Sequence, residues 1–159
     1  MASQARLANN AWEALLSAHA RLMKQLVADD IWHGLSIREY DVLYTLSKCP
    51  DPVRVGELHA HVLLSQPAMS RLVDRLVERG YVERRADPTD RRGVRLSLTE
   101  DGRAMQRQIG RQHARSVARA VSTELDPDEL RQLAAICWKL AGHPATGTLR
   151  SNVKEVTRA

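Results

Sequence analysis

Aromatic side chains, cysteines and long apolar runs are all scarce in this chain of 159 residues. Phenylalanine is absent and aromatic residues make up 4% of the sequence, so leucine, valine and alanine must build the core, which favours helices. The two cysteines, Cys49 and Cys137, indicate neither a disulfide framework nor a zinc site. No apolar run approaches the roughly 18–20 residues that span a bilayer, and no signal-peptide core begins the chain. We therefore expect a cytoplasmic protein with no membrane partner.

Motifs of enzymes and metal sites are also missing. The sequence contains no nucleophile elbow, no phosphate-binding glycine loop and no paired carboxylates in a catalytic setting. His59 and His61 point to different sides of a predicted helix, and no cysteine or carboxylate completes a metal site around them. We expect no enzymatic activity, no metal and no cofactor. The net charge of +5, carried mostly by arginine, favours nucleic acid or another anionic partner.

Hydrophobic periodicity predicts a first amphipathic helix over about residues 10–30, capped by Asn9 or Asn10. The capping-box pair Ser36 and Glu39 predicts the start of a second helix, which two prolines end. Caps, prolines and glycines divide the remaining apolar pattern into further helices over about residues 55–63, 65–80, 100–124 and 126–141.

A basic hairpin is predicted between the fourth and fifth helices. Strands over residues 81–85 and 94–99 flank a turn-rich loop from Asp87 to Gly93, and Val94, Leu96 and Leu98 alternate with polar residues. The hairpin carries five arginines against two aspartates, namely Arg84, Arg85, Arg91, Arg92 and Arg95. Arginine displaces counterions from phosphate, so this composition favours a polyanionic partner. The alternative is a solvated hairpin whose charge prevents edge-to-edge aggregation.

The fourth helix separates apolar from polar positions, as a DNA-recognition helix must. Leu72, Val73 and Leu76 are expected to pack inward, while the outward positions are Ser65, Gln66, Ser70, Arg71, Asp74 and Arg75. Glutamine pairs with adenine and arginine with guanine in the major groove, and the helix N-terminus offers amides to phosphate. A solvated surface helix would be polar on one side too. Two short helices followed at once by a basic hairpin, however, describe a winged helix-turn-helix, so the predicted fold is mainly α with a small β-hairpin wing.

Three segments of the chain resemble the multiple-antibiotic-resistance regulator (MarR) family. They are the run from Ser65 to Leu76, the link from Glu78 to Arg85, and the wing motif from Asp87 to Gly93, which is followed by Leu98-Thr99 and Gly102. The resemblance extends over about residues 11–141. It implies a homodimeric regulator, most often a repressor, with recognition helices in successive major grooves and wings in flanking minor grooves. One departure is Leu63-Leu64, where many members have glycine, which implies a more open turn.

The resemblance also implies which residues contact double-stranded DNA. In the recognition helix these are Ser65, Gln66, Pro67, Ala68, Ser70, Arg71 and Arg75. In the wing they are Arg84, Asp90, Arg91, Arg92 and Arg95. Arg92 would enter the minor groove with Asp90 bracing its guanidinium, while Arg91 and Arg95 would hold phosphate. A narrow A·T-rich groove concentrates negative potential, which favours arginine there.

The predicted chain divides into a DNA-binding part and a dimerisation part. Residues 36–99 form the winged helix-turn-helix domain, residues 10–34 and 100–141 the helical dimerisation region, and residues 142–159 a flexible C-terminal tail. The winged domain is too small to cover the apolar stripes of the first, fifth and sixth helices, so a second subunit is expected. The alternative is that these helices cap the core of their own chain. Two-fold symmetry predicts a palindromic operator with half-sites roughly 34–36 Å apart.

The resemblance further implies release from DNA when a small anionic, often aromatic, ligand binds between dimer base and winged domain. Asp41 and Arg71 resemble in position the acid–base pair of urate-responsive members, although the tryptophan that those members use has no counterpart. Trp32, His33 and Tyr40 would line the same crevice around a phenolic or other anionic effector. The alternatives are that Asp41 and Arg71 form a salt bridge between two helices or do not touch at all, and that the aromatic residues are plain packing.

Two alternatives to this function stay open at the level of sequence. Redox control has little support, because hydroperoxide-sensing members carry a reactive cysteine near the start of the chain and this chain has none there. Cys137 lies in an apolar stripe, where cysteine is an inert small hydrophobe. The other alternative is an architectural winged helix that binds DNA without sequence preference or binds another protein. Gln66, Ser70 and Arg71 favour base reading over that role.

Overall fold

The computed structural model describes residues 2–59 and 65–142. These residues form six helices and a three-stranded antiparallel sheet with the strand order β1-β3-β2, which confirms a mainly α fold with a small wing. In chain order the elements are α1 (Ala2–Val27), α2 (Ile37–Lys48), β1 (Val53–Arg54), α3 (Val55–His59), α4 (Gln66–Glu78), β2 (Val82–Asp87), β3 (Asp90–Leu98), α5 (Glu100–Ser122) and α6 (Pro127–Leu140). None of the described helices has the length and apolarity needed to cross a membrane.

Three predicted helix starts are confirmed by their caps. The Ser36 side chain accepts a hydrogen bond from the Glu39 amide, while the Glu39 carboxylate accepts one from the Ser36 amide at 2.7 Å. Asp126 begins α6 with the same reciprocal arrangement, and Ser65 begins α4 ahead of a first-turn proline. These caps join residues that are neighbours in sequence, so local pattern is enough to predict them.

The predicted start of α1 is wrong by about two turns. The helix begins at Ala2, and Asn9 and Asn10 lie inside it instead of capping it. The residues before Asn9 are mostly good helix formers, with neither proline nor glycine among them, so helical structure continues there without an apolar stripe.

The wing differs from its prediction in length and in its third strand. Pro88 and Thr89 alone separate β2 from β3, because Asp87 accepts hydrogen bonds from the Thr89 amide and hydroxyl and closes a tight turn. The register shifts between Ala86 and Asp87, where the structure has a bulge. The unpredicted strand β1 pairs with β3, Val53 opposite Leu96. Two residues are too few to show strand periodicity.

The hydrophobic core lies between α2, α3, α4 and the sheet, with one contribution from α5. Its fully buried side chains are Val42, Leu43, Leu58, Met69, Val73, Leu76, Val82, Leu96 and Ile109. Leu72, Val73 and Leu76 are buried as predicted. Val94 is 38% exposed, so the half-buried pattern predicted for it ends before the wing tip. Helix α3 is described only to His59, and the Leu63-Leu64 turn lies outside the described residues.

Helices α1 and α6 leave their apolar side chains uncovered. No residue of α6 is buried, and Leu26 is the one apolar side chain of α1 in the core, counting only residues 2–59 and 65–142. Trp12 is 59% exposed and Ile136 is 58% exposed. The remaining large apolar side chains exposed on these helices are Leu7, Leu15, Leu16, Val27, Leu133 and Leu140. A single chain therefore does not bury these two stripes, contrary to the alternative in which they cap its own core.

Candidate nucleic-acid interface

Helix α4 presents the predicted recognition residues to solvent. Ser65 accepts a hydrogen bond from the Ala68 amide at 3.4 Å and so occupies one amide at the helix start. The predicted recognition residues are exposed except for Ala68, which is half-buried. Buried Met69, Leu72 and Leu76 hold the opposite face of the helix against the core. Burial of the apolar face leaves the polar face of α4 exposed to solvent.

Two arginines tie the C-terminal half of α4 to the segment before and within α2. The Arg75 Nε donates to Glu39 at 2.9 Å, and Arg79 donates to the carbonyl oxygens of Gly34 at 2.7 Å and His33 at 3.4 Å. Burial alone would raise the pKa of Glu39, but the hydrogen bonds from the Ser36 amide and Arg75 outweigh it, so the pKa is lowered. Arg75, predicted to contact DNA, is therefore partly committed to positioning the helix.

A small basic cavity lies beside the predicted recognition face. Arg38, Arg71 and Arg75 line it together with Ser36, Ala68 and Leu72, and its volume is about 170 Å³. Arg38 near the N-terminus of α2, together with Arg71 and Arg75 of α4, makes an environment suited to a phosphate oxygen. The sequence analysis did not predict a role for Arg38. Its position two residues after Ser36, the cap of α2, could have indicated one.

The wing arginines have partners within the chain. Arg84 pairs with Asp74 at 2.5 Å, which holds β2 of the wing beside α4, and Arg85 pairs with Glu83. Arg95 was expected to face phosphate, but its guanidinium lies 3.2 Å from the Asp87 carboxylate. Its role as a phosphate contact is therefore not favoured by its geometry.

The wing tip carries the two other arginines predicted to contact DNA. The backbone of Arg91 and Arg92 belongs to β3, next to the turn. Their side chains lie outside the described part of the structure, and so does the predicted pairing of Asp90 with Arg92.

A buried carboxylate beside the turn of the wing was not predicted. The Asp87 side chain is 0% exposed and accepts from the Arg54 Nε at 2.7 Å. Hydrogen bonds from the Thr89 amide and hydroxyl, followed by those from Arg54 and Arg95, hold the pKa of Asp87 well below its usual range. Arg54 lies 33 residues from Asp87 in the chain, so no local pattern connects them.

A cluster of packed aromatic rings lies between the α1–α2 connection, α2 and α5, at the place where the resemblance predicts an effector crevice. The ring of buried Trp32 is 5.7 Å from that of Tyr40, and both lie within about 5.4 Å of the His113 ring. His33, at a left-handed φ of 51°, brings its Nε2 to 3.2 Å from the Gln108 side chain of α5. His113 was not predicted. It follows buried Ile109 by one helical turn on the same face of α5. The sequence could therefore have indicated that its side chain points toward the core.

Charge around this aromatic cluster is mixed. Burial lowers the pKa of His113, and nearby Asp41 and Asp29 offset part of that effect. Desolvation raises the pKa of Asp41, offset in part by His113 and Arg38. Among the described residues, buried polar atoms without a hydrogen-bond partner include His113 Nδ1 and Asp29 Oδ2. Each of these two atoms lacks the hydrogen bond that buried polar groups normally make.

The structure separates one predicted effector residue from the others. Arg71 lines the basic cavity beside α4, and no ion pair joins it to Asp41 in the part of the chain that the structure describes. The salt bridge considered between these two residues is therefore not formed. Trp32 and Tyr40 are brought together, and His33 adjoins them through the α1–α2 connection.

Metal and thiol chemistry find no support in the described geometry. Within residues 2–59 and 65–142, no group of three or more His, Cys, Asp or Glu is placed to hold a metal ion. The side chain of His59 and all of His61 lie outside that description. Burial, with a smaller contribution from Glu57, raises the pKa of the Cys49 thiol, which disfavours the reactive thiolate.

Comparisons with known proteins found similarities in both sequence and structure. The sequence model of the MarR family matches residues 33–93. An uncharacterized HTH-type transcriptional regulator of Bacillus subtilis, YkoM, is 29% identical over 136 residues, which are 86% of this chain and 87% of that protein. Sco3205, a MarR family transcriptional regulator from Streptomyces coelicolor solved in complex with DNA, has a TM-score of 0.74 and 27% identity, with 84% of each chain covered.

A fourth comparison concerns ligand binding. The PcaV transcriptional regulator from Streptomyces coelicolor, solved in complex with its natural ligand, has a TM-score of 0.65 and 25% identity, covering 84% of this chain and 91% of that one. Together the similarities confirm the predicted family resemblance and winged-helix fold. The relatives are named as transcriptional regulators, in agreement with the prediction that this chain is not an enzyme.

Proposed function

We propose that this chain, which is similar to MarR family transcriptional regulators, is a homodimeric repressor that binds a palindromic operator in the cytosol. The observation that carries this proposal is the arrangement of α4 and the wing. The polar face of α4 is exposed, and the pair between Arg84 and Asp74 holds the wing beside it. A recognition helix and an adjacent basic hairpin are the two elements by which a winged helix reads DNA. The relative Sco3205 was solved in complex with DNA.

Base reading is assigned to the N-terminal part of α4 and backbone binding to its surroundings. Gln66 is exposed at the helix start, where its amide would pair with adenine, and Ser70 lies one turn later. The cavity of Arg38, Arg71 and Arg75 would take a phosphate oxygen. Arg92 would enter the minor groove from the wing tip.

Dimerisation is assigned to the apolar stripes of α1 and α6. Trp12 of α1 and Ile136 of α6 are each more than half exposed, which is unusual for such large apolar side chains in a stable single chain. A second copy of the chain would cover both stripes and set two recognition helices one helical turn of DNA apart, roughly 34–36 Å.

The aromatic cluster is our candidate for the effector site. Trp32, Tyr40 and His113 supply ring faces, and the unpaired His113 Nδ1 supplies a polar atom. A small aromatic acid matches this combination of stacking and polar contact. The cluster lies between α5 and the connection that Arg79 of α4 holds through two carbonyl oxygens, so a ligand that moves the connection would move the recognition helix.

Competition binding tests the DNA-reading part of this proposal. An inverted repeat from the DNA next to the gene is labelled and challenged with random duplex of equal length, at one stated salt concentration. We expect a preference for the repeat of about 10³-fold or more, as for specific regulators. A ratio close to one would favour the architectural alternative, because charge alone does not distinguish sequences.

A thermal-shift measurement tests the effector part. Hydroxybenzoate is compared with hydroxybenzyl alcohol, which keeps the ring and the phenolic hydroxyl and lacks the carboxylate. We expect hydroxybenzoate to raise the melting temperature, because a ligand that binds the native state stabilises it, and to weaken operator binding. His113→Ala should abolish both effects. Equal responses of this variant and the wild type would remove the aromatic cluster from the proposal.

A further inference from the structure

Asp87 occupies an environment that is unusual for a carboxylate near the tip of a hairpin. Its side chain is 0% exposed, and Oδ2 lies 2.7 Å from the Arg54 Nε and 3.2 Å from the Arg95 Nε. Oδ1 accepts from the Thr89 amide at 2.9 Å and from the Thr89 hydroxyl at 2.7 Å. Carboxylates are almost never fully buried unless they are paired, so this one is held by its partners.

The partners of Asp87 come from both sides of the joint between the wing and the helix-turn-helix. Arg54 is the last residue of β1, and α3 begins at the next residue. Its backbone amide donates to Glu57 of α3 at 3.0 Å, which fixes the start of that helix. Arg95 belongs to β3 and donates to the Pro52 carbonyl oxygen at 3.2 Å, just before β1. The carboxylate thus joins the segment that starts α3 to the strand that leads out of the wing.

Asp87 also shapes the backbone of the wing tip. A Cβ added to Gly93 would lie 2.9 Å from the Asp87 Cβ and 3.2 Å from the Asp90 Cβ, so glycine is required where β3 passes over the carboxylate. Between Asp90 and Gly93 lies the backbone of Arg91 and Arg92. The direction in which the tip leaves the sheet therefore depends on the packing of β3 against Asp87.

We propose that Asp87 is a positioning residue for DNA binding, which locks the wing to the β1–α3 segment so that wing and recognition helix meet the duplex as one rigid unit. This inference rests on the proposed function as a sequence-specific DNA-binding protein. Arg54 and Thr89 act with Asp87, since the Arg54 Nη2 also donates to the Thr89 hydroxyl at 3.2 Å. None of these three contacts DNA in the proposal.

Positioning and simple electrostatics predict opposite effects of neutralising this carboxylate. If only electrostatics matters, neutralising Asp87 strengthens binding to any duplex. The variant has one negative charge fewer, and Arg54 and Arg95 lose their internal partner and become available to phosphate. Loss of positioning weakens binding to the operator alone, because only the operator depends on simultaneous contacts in two grooves. A variant that merely unfolds more easily loses affinity for both kinds of DNA.

The experiment compares Asp87→Asn with the matched control Glu83→Gln in the full-length protein. Glu83 lies on β2 of the same hairpin and pairs with Arg85, so the control makes the same charge change away from Asp87. Affinities for the operator and for random duplex are measured by fluorescence anisotropy at two salt concentrations. We expect Asp87→Asn to lose about tenfold in operator affinity, the effect of one misplaced groove contact, while its affinity for random duplex is unchanged or higher. Glu83→Gln should keep the wild-type ratio of the two affinities.

Arg54→Lys decides the question if Asp87→Asn does not fold. Lysine keeps the charge and loses the planar guanidinium that contacts Asp87 and Thr89 together, so any fall in the affinity ratio reflects geometry. An unchanged ratio in the folded variants would overturn the positioning role while the proposed function stands. Lack of operator preference in the wild type would contradict the proposed function itself, and the positioning role with it.

Discussion

The winged domain and the two end helices differ in what covers their apolar side chains. Leu43, Leu76 and Leu96 are fully buried by other elements of the same chain, whereas Leu140 of α6 is 72% exposed. Both regions carry amphipathic patterns of similar quality in the sequence. An apolar stripe therefore predicts which face of a helix is buried. It does not predict whether the same chain or a second molecule buries that face. The winged helix is stabilised by contacts within the chain, whereas the apolar side chains of the end helices are left for the second subunit that we propose.

The largest expected effect is on the stability of the winged domain. Leu43→Ala removes a fully buried side chain of α2 and should lower the free energy of unfolding by about 2–5 kcal/mol. The loss should be the same at every protein concentration. Leu140→Ala makes the same change on α6, where it can weaken only the proposed dimer, so its effect should be largest at high protein concentration and vanish as the dimer dissociates on dilution. Chemical denaturation of both variants at two concentrations checks the contrast, and equal concentration dependence would contradict it.

Charge on α6 should break the proposed dimer without unfolding the winged domain. Ile136→Asp places an unpaired carboxylate in each half of the interface, which should weaken association by about 3 kcal/mol or more. Sedimentation velocity at micromolar concentration should then show a monomer with unchanged helical content. Ala134→Asp, two residues away on a different side of α6, is the control. A dimer that survives Ile136→Asp would assign the interface to another surface.

Loss of a wing arginine should affect DNA binding and leave both structural regions intact. We expect Arg92→Ala to cost about 1–3 kcal/mol in operator binding and to lower the salt dependence by about one counterion. Arg85→Ala is the control, because Arg85 is paired with Glu83 on the same hairpin. Anisotropy titrations at several salt concentrations measure both quantities. Unchanged operator affinity of Arg92→Ala would contradict the wing assignment.

The smallest expected effect concerns the contact that joins α4 to the start of α2. Glu39→Gln should cost about 1–2 kcal/mol of unfolding free energy at neutral pH, because the charged hydrogen bonds to Ser36 and Arg75 are weakened. The pKa of Glu39 is lowered on folding, so this stability is present above the ordinary value of 4.5 and is lost as pH falls through the folded value. The difference between variant and wild type should therefore shrink in acid. A difference that is constant with pH would show that the carboxylate charge has no part in it.

The sequence predicted best those features that depend on residues close together in the chain. The caps at Ser36 and Asp126 and the buried positions of Leu72 and Leu76 are set within a few residues, and the structure confirms them. Strand β1 was missed because Val53 and its partner Leu96 are far apart in the chain. His113 was missed for the same reason, since Trp32 and Tyr40 belong to other elements.

The candidate site shows the same division. The sequence alone indicated that α4 has a polar face and that the hairpin is rich in arginine, and the family resemblance indicated their use. It could not show that Arg95 turns to Asp87 or that Arg71 joins Arg38 and Arg75 around one cavity. Ion pairs between distant elements depend on how those elements pack, and packing involves the whole core.

The sequence by itself determined the order of the helices, the caps at Ser36, Ser65 and Asp126, the basic hairpin and the apolar stripes, because each follows from residues within a few turns of one another. Only the tertiary structure decided which stripes the chain buries, which arginines are held by internal carboxylates, and that Asp87 joins the wing to α3. These outcomes depend on distances between segments, and those distances exist only once the core has formed.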